Sequence, residues 1–152
     1  MSYHFRNPKR GEVFVFDTRD IKQIHNKART EGVPAGSHYI KRLAGVPGDE
    51  LQIKGTDLYI NGVIAEEKGI QRVMSKKDNY RGYEARERLF GNRILKASFS
   101  KRPGMNEYIA LGDNSYNSAD SRSWGTVKVF NVIGPAAFSL WPFKSGHWGI
   151  IK

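Results

Sequence analysis

Asn61-Gly62, set between Leu58-Tyr59-Ile60 and Val63-Ile64, leaves the chain around it few options. A two-residue connection between apolar runs needs positive φ at both central positions. Asn-Gly tolerates this well, so the segment is expected to be a hairpin with a type I′ turn. Leu51-Gln52-Ile53 alternates just upstream, and Pro47-Gly48-Asp49 suits a type II turn because Gly48 accepts the positive φ it demands. Strands that follow one another through connections this short pair antiparallel. The expected class is mostly β.

The rest of the chain extends this pattern with one interruption. Asn7-Pro8-Lys9-Arg10-Gly11 reads as a turn, and Glu12-Val13-Phe14-Val15-Phe16 as a strand covered on both faces, since it is apolar without alternation. Asp17 or Thr18 can cap a short helix carrying Ile21, Ile24 and Ala28, which Gly32-Val33-Pro34 closes. His38 to Val46 reads as a strand. Residues 66–107 show neither a sustained period of two nor a clean period of 3.6, and are expected to form an inserted irregular lobe. Val127 to Leu140 and Trp148-Gly149-Ile150-Ile151 supply closing strands, with a bend or bulge at Gly134-Pro135.

A chain of 152 residues with 39% hydrophobic content suits a single domain with one core and an insertion. It has no cysteine, so disulfide frameworks and thiolate metal sites are excluded. His4, His25, His38 and His147 are too widely spaced for a metal motif, and no phosphate loop is present; no cofactor is expected. No apolar run is long enough to span a membrane, and Met1-Ser2-Tyr3-His4-Phe5-Arg6 does not read as a signal peptide. The formal charge is +10, and residues 66–102 hold eleven Lys or Arg against five Asp or Glu. Such an excess fits nucleic acid, an anionic lipid surface or a merely solvated basic face. Tyr80, Tyr83, Phe90 and Phe99 interleave there, but without a nucleic-acid-binding motif, so nucleic acid is not expected as a partner.

Two stretches hold candidate chemistry. Tyr108 to Val127 crowds Gly112, Asp113, Asn114, Asn117, Ser118, Asp120, Ser121 and Arg122 between apolar flanks, and reads as a polar loop held by two packed strands. In His38-Tyr39-Ile40-Lys41-Arg42-Leu43, alternation allows either Lys41 or Arg42 to point inward. A desolvated lysine loses hydration of its ammonium form and can serve as a neutral base. The plainer reading is a pair of cations projecting into solvent from an edge strand.

Three stretches, Pro8 to Phe16, Tyr39 to Asp49 and Gly112 to Gly125, resemble consecutive boxes of bacterial type I signal peptidases, in that family's order. The resemblance spans nearly the whole chain as one catalytic-type domain, with residues 66–107 as the family's variable insertion. It implies a signal-peptidase-like antiparallel β-fold and a serine endopeptidase with a Ser-Lys dyad, acting on the signal peptides of secreted preproteins. Lys41 would be the general base and Ser118 the hydroxyl that orients it. Arg42, Asp113, Asp120 and Arg122 would support the site through ion pairs, while Val15, His38, Tyr39 and Ile40 would line the substrate path. The family's location is the cell membrane, with the catalytic domain on the extracytoplasmic, periplasmic side. That implies the lipid bilayer surface as a second partner, with Phe138, Trp141, Pro142, Phe143 and Trp148 as possible contacts or simply core.

The family's nucleophile lies in a Ser-Met-x-Pro-Thr type motif upstream of the first box, and this sequence has none. Only Ser2 and Ser37 precede Lys41. Ser2 stands in an unrelated context, and Ser37 is four residues from Lys41, about 13 Å along a strand. The serine is therefore expected upstream of Met1, in which case residues 1–152 alone do not turn over substrate. The alternative is a non-catalytic relative that binds extended peptides by strand addition.

Overall fold

The computed structural model describes residues 7–24, 36–85 and 94–136, and the backbone at 138–139 and 149–150. Its strands are β1 (Val13–Asp17), β2 (His38–Gly45), β3 (Glu50–Lys54), β4 (Asp57–Ile60), β5 (Val63–Ile64), β6 (Leu95–Lys96), β7 (Glu107–Leu111), β8 (Val127–Lys128), β9 (Val132–Pro135), β10 (Phe138–Ser139) and β11 (Gly149–Ile150). Among the described residues, short helices α1 (Lys68–Met74) and α2 (Ser121–Trp124) accompany them, with 3-10 turns at Ser115–Asn117 and Val129–Asn131 and a helical turn at residues 22–24. One antiparallel sheet runs β8-β7-β2-β1-β9, a second runs β5-β4-β3-β6, and β10 pairs with β11. The fold is mostly β, as the turn chemistry implies.

Both turns take the expected backbone. Asn61 and Gly62 have φ of 52° and 82°, and Gly48 has φ of 95°. The first sheet separates two apolar clusters because its side chains alternate across it. Phe14, Phe16, Leu43, Tyr108, Ala110, Trp124 and Val127 form one cluster, with the Phe14 and Phe16 rings 5.2 Å apart. Ala44, Ile109 and Leu111 face the other way and join Leu51, Leu58 and Ile60 of the second sheet.

Three details depart from the sequence reading. Strand β1 is covered fully on one face only: Phe14 and Phe16 are buried, whereas Val13 and Val15 are half-buried. Its apolar run cannot report this asymmetry, because a face left open for a ligand is as apolar as one against the core. Residues 66–107 contain helix α1, whose Gly69, Ile70 and Val73 share one buried face, although seven residues are too few to stand out as a helical period in the sequence. The irregularity in β9 falls at Ile133, where Phe16 pairs with Val132 and Val15 with Gly134; Pro135 continues this edge strand. The expected helix from Asp17 begins as a turn at Lys22–Ile24, and its continuation, like Trp141, Pro142, Phe143 and Trp148, lies outside the described residues.

Candidate active site

Strand β2 sets the geometry. It pairs with β1 along Val13–Asp17, so that Val15 stands opposite Ile40, and Phe14 opposite Lys41. On its other side β7 pairs only from Arg42 to Gly45. The edge at His38–Lys41 therefore carries no strand among the described residues. Ile40 is 55% exposed there and shares a face with Val15, while His38 is exposed with Nε2 3.9 Å from Asp17 Oδ2.

Alternation puts Lys41 and Arg42 on opposite faces, and neither is a plain solvent-facing cation. Lys41 is half-buried on the face of Phe14 and Leu43, with Nζ 5.6 Å from the centroid of the Tyr39 ring. Arg42 is buried on the other face. Its Nε and Nη2 donate to the two Asp113 oxygens at 2.8 and 2.7 Å, and Nη1 donates to the Gly11 carbonyl at 2.7 Å. Burial works against the guanidinium charge, but the paired Asp113 carboxylate outweighs it and holds Arg42 above its ordinary pKa. Helix α1 closes over this group. A Cβ on Gly69 would lie 2.0 Å from Arg42 Nη1, so the helix approaches only because residue 69 has no side chain.

The loop beyond β7 returns to the sheet through Ser118. A Cβ built on Gly112 would lie 1.9 Å from Ser118 Oγ and 2.4 Å from Ser118 Cβ. The hydroxymethyl group of Ser118 thus occupies the seat of a side chain at 112. Since Arg42 pairs with Leu111, the next position places Gly112 across from Lys41. Continued one step, the register therefore seats Ser118 on the residue across from Lys41.

Asp120 holds that return. It is wholly buried and accepts from Gly112 N at 2.9 Å, Arg122 N at 3.1 Å, Arg122 Nε at 2.9 Å and Arg122 Nη2 at 2.5 Å. One carboxylate thus caps helix α2, pairs with a guanidinium and ties the start of the loop to its end. Arg122 spends its remaining donors on Ser115 Oγ at 2.6 Å, Ser115 O at 2.8 Å and the Glu84 carbonyl at 2.7 Å. Ser121 Oγ accepts from Ala110 N at 2.8 Å. Sequence reasoning read this stretch as a polar loop; it is also buried, and mutual hydrogen bonding makes that burial tolerable.

The structure thus seats Ser118 on Gly112, one step beyond the β2–β7 pairing at Arg42, and closes Arg42–Asp113 and Asp120–Arg122 as two ion pairs. It leaves Val15, His38, Tyr39 and Ile40 beside an open strand edge. From the sequence, Gly112 reads only as a turn former of the polar loop and Tyr83 only as an interleaved aromatic, and neither Ser115 nor Glu84 is singled out. Tyr83 and Glu84 belong to the stretch with no periodic signal. Among the described residues no three His, Asp or Glu side chains group as metal ligands.

A family model described as "Signal peptidase, peptidase S26" matches residues 1–141. The chain belongs to this signal peptidase family. It is 34% identical over 142 residues to "Signal peptidase I" of Leptolyngbya laminosa, covering 93% of this chain and 57% of that protein. It is 32% identical to "Probable signal peptidase I-2" of a Synechocystis species, covering 93% and 52%. Against "Signal peptidase IB" of Staphylococcus aureus it is 31% identical over 111 residues, covering 70% and 54%. This signal peptidase family member therefore spans just over half the length of these curated relatives. Among solved structures, a signal peptidase I from Enterococcus faecalis V583 superposes with a TM-score of 0.55 at 29% identity, covering 86% of this chain and 97% of that one.

Proposed function

We propose that these residues form the catalytic-type domain of a serine endopeptidase that removes N-terminal signal peptides from exported preproteins, with Lys41 as general base. The observation that carries this reading is the seating of Ser118 on Gly112, across from Lys41. A serine hydroxyl is compact and uncharged, and can aim an amine without the counter-charge that would stabilise its protonated form. The carboxylates of Asp113 and Asp120 are engaged by Arg42 and Arg122. Their part is to fix the frame.

In this reading an extended substrate lies against the open edge at His38–Lys41, with Val15 and Ile40 forming an apolar pocket for a small residue. The nucleophilic serine is supplied from outside residues 1–152. Its Oγ–H proton passes to the Lys41 amine as the oxygen attacks the scissile carbonyl, and the same proton then goes to the leaving amine. Water releases the acyl group by the same base. The proposed setting is the extracytoplasmic face of the cell membrane, with the insertion 66–107 as a family-variable element. Among the described residues no helix is long and apolar enough to cross a membrane.

Signal-peptide cleavage by the full-length polypeptide that carries these residues is the test. Lys41→Ala is expected to abolish turnover, and Ser118→Ala to lower it by about 10²-fold or more. Residues 1–152 alone are expected to bind but not to cleave. Full activity in Lys41→Ala would overturn the assignment, and Lys41-dependent cleavage by residues 1–152 alone would place the nucleophile within them. Peptide binding without cleavage by the full-length protein would leave strand addition as the function.

A further inference from the structure

We propose that Arg81, laid against the ring of Tyr116, is a specificity-determining residue that favours an acidic side chain where the bound polypeptide leaves the β2 edge. This inference rests on the function proposed above and goes beyond it, because Arg81 comes from the insertion rather than from the Lys41–Ser118 frame.

The path of the polypeptide follows from the sheet. An extended chain can pair with β2 only along His38–Lys41, because at Arg42 that edge is taken by β7. Whatever its direction, a bound chain that continues past Lys41 must lift off the sheet there. It then meets the loop that runs from Asp113 to Ser118. Tyr116 is half-buried in that loop and two residues from Ser118, so their Cα atoms lie within about 7 Å.

Arg81 is fixed at this rim from below. Tyr83 N donates to the Thr56 carbonyl at 2.9 Å, Glu84 N donates to Ser115 Oγ at 2.8 Å, and Arg122 Nη1 donates to the Glu84 carbonyl at 2.7 Å. The segment carrying Arg81 is thereby bonded to the site loop itself. The Arg81 guanidinium carbon lies 4.3 Å from the centroid of the Tyr116 ring, which restrains a long side chain in one orientation. Arg42 and Arg122, the two other arginines at the loop, are each closed by a carboxylate. Arg81 is exposed, and no carboxylate among the described residues pairs with it.

A guanidinium held over a ring face keeps N–H donors at its rim, where a carboxylate can take two of them at once. The cost of ordering the arginine has largely been met by the ring contact, so the pairing gains more than that of a free surface cation. An acidic residue in the departing polypeptide gains this contact, a neutral one does not, and a basic one is repelled.

The test is equilibrium binding of residues 1–152 to uncleavable extended peptides, identical except for Asp, Asn or Lys placed at each position flanking the scissile bond in turn. At one or two adjacent positions Asp is expected to bind about 3- to 5-fold tighter than Asn, as for a restrained surface ion pair. High salt shrinks the difference. Arg81→Gln should remove it, Arg81→Glu should reverse it so that Lys is preferred, and Tyr116→Leu should reduce it while the charge remains. Equal binding of Asp and Asn peptides at every position, or a preference that survives Arg81→Gln, overturns this inference alone. Binding of none of the peptides overturns the proposed function and this inference with it.

Discussion

Ser118 Oγ lies 1.9 Å from the point where residue 112 would carry a Cβ, on the face of the sheet that holds Lys41. The relation is mutual: the loop can return to the sheet only above a glycine, and the glycine is useful only because the serine fills its place. Gly112→Ala is therefore expected to displace Ser118 and to destabilise the protein by about 1–3 kcal/mol through overpacking. Ser118→Gly clears the same space, so the double variant should be less destabilised than the sum of the two singles. Urea unfolding of the four proteins measures the coupling, and additivity would show that the two sites do not share this space.

Arg42 and Asp113 make a second such relation, held shut by Gly69. Asp113→Ala strands a buried guanidinium that helix α1 prevents from turning outward. The expected loss is on the order of 3 kcal/mol, at the low end for a broken buried pair because the Asp113 side chain is 28% exposed. Chemical denaturation checks this, and a loss below 1 kcal/mol would mean that water reaches Arg42.

Tyr83 is wholly buried, and its hydroxyl has no hydrogen-bond partner among the described residues. Burial, reinforced by the charge of Asp113, pushes the phenol well above its ordinary 10.0. A group kept neutral in the folded state but free to ionise in the unfolded one leaves stability unaffected below about pH 10. Above that, stability falls by up to about 1.4 kcal/mol per pH unit. Tyr83→Phe should remove this alkaline contribution and raise neutral-pH stability by up to about 1 kcal/mol. Matched urea titrations at neutral and alkaline pH test both parts; parallel curves would contradict the first.

Glu107, at the start of β7, accepts from Lys128 Nζ and from Ser98 N at 3.0 Å. Burial tends to raise its pKa, but these donors prevail and hold it below the ordinary 4.5. A depressed carboxylate contributes stability that is present above about pH 4.5 and is lost as pH falls through the folded value. Glu107→Gln should therefore be less stable than wild type at neutral pH and less sensitive to acid. Unfolding midpoints across the acid range decide it, and an unchanged acid slope would count against the assignment.

Much of this molecule follows from short-range chemistry. Asn61-Gly62 and Pro47-Gly48 make their turns because few other residues accept those φ values. The apolar runs at Val13–Phe16 and Tyr108–Leu111 become strands because nothing in them favours a cap or a break. Lys41, Ser118 and both acid–arginine pairs were nameable in advance because each stands in a compact motif. Tyr83, Glu84 and Arg81 were not, since a segment that serves by leaning on another element carries no periodicity of its own.

The sequence by itself determined the strands outside residues 66–107, the turns at Pro47-Gly48 and Asn61-Gly62 and the residue types gathered at the site, all of which depend on neighbours a few positions apart. It did not determine β6, which forms only against β3. Only the tertiary structure decided that Arg42 is the deeper cation, that Ser118 sits on Gly112, that β7 stops pairing at Arg42, and that Glu84 is bonded to the loop through Ser115 and Arg122. Those outcomes depend on which strand lies beside which and in what register. Register is set by the summed burial of many side chains across two sheets.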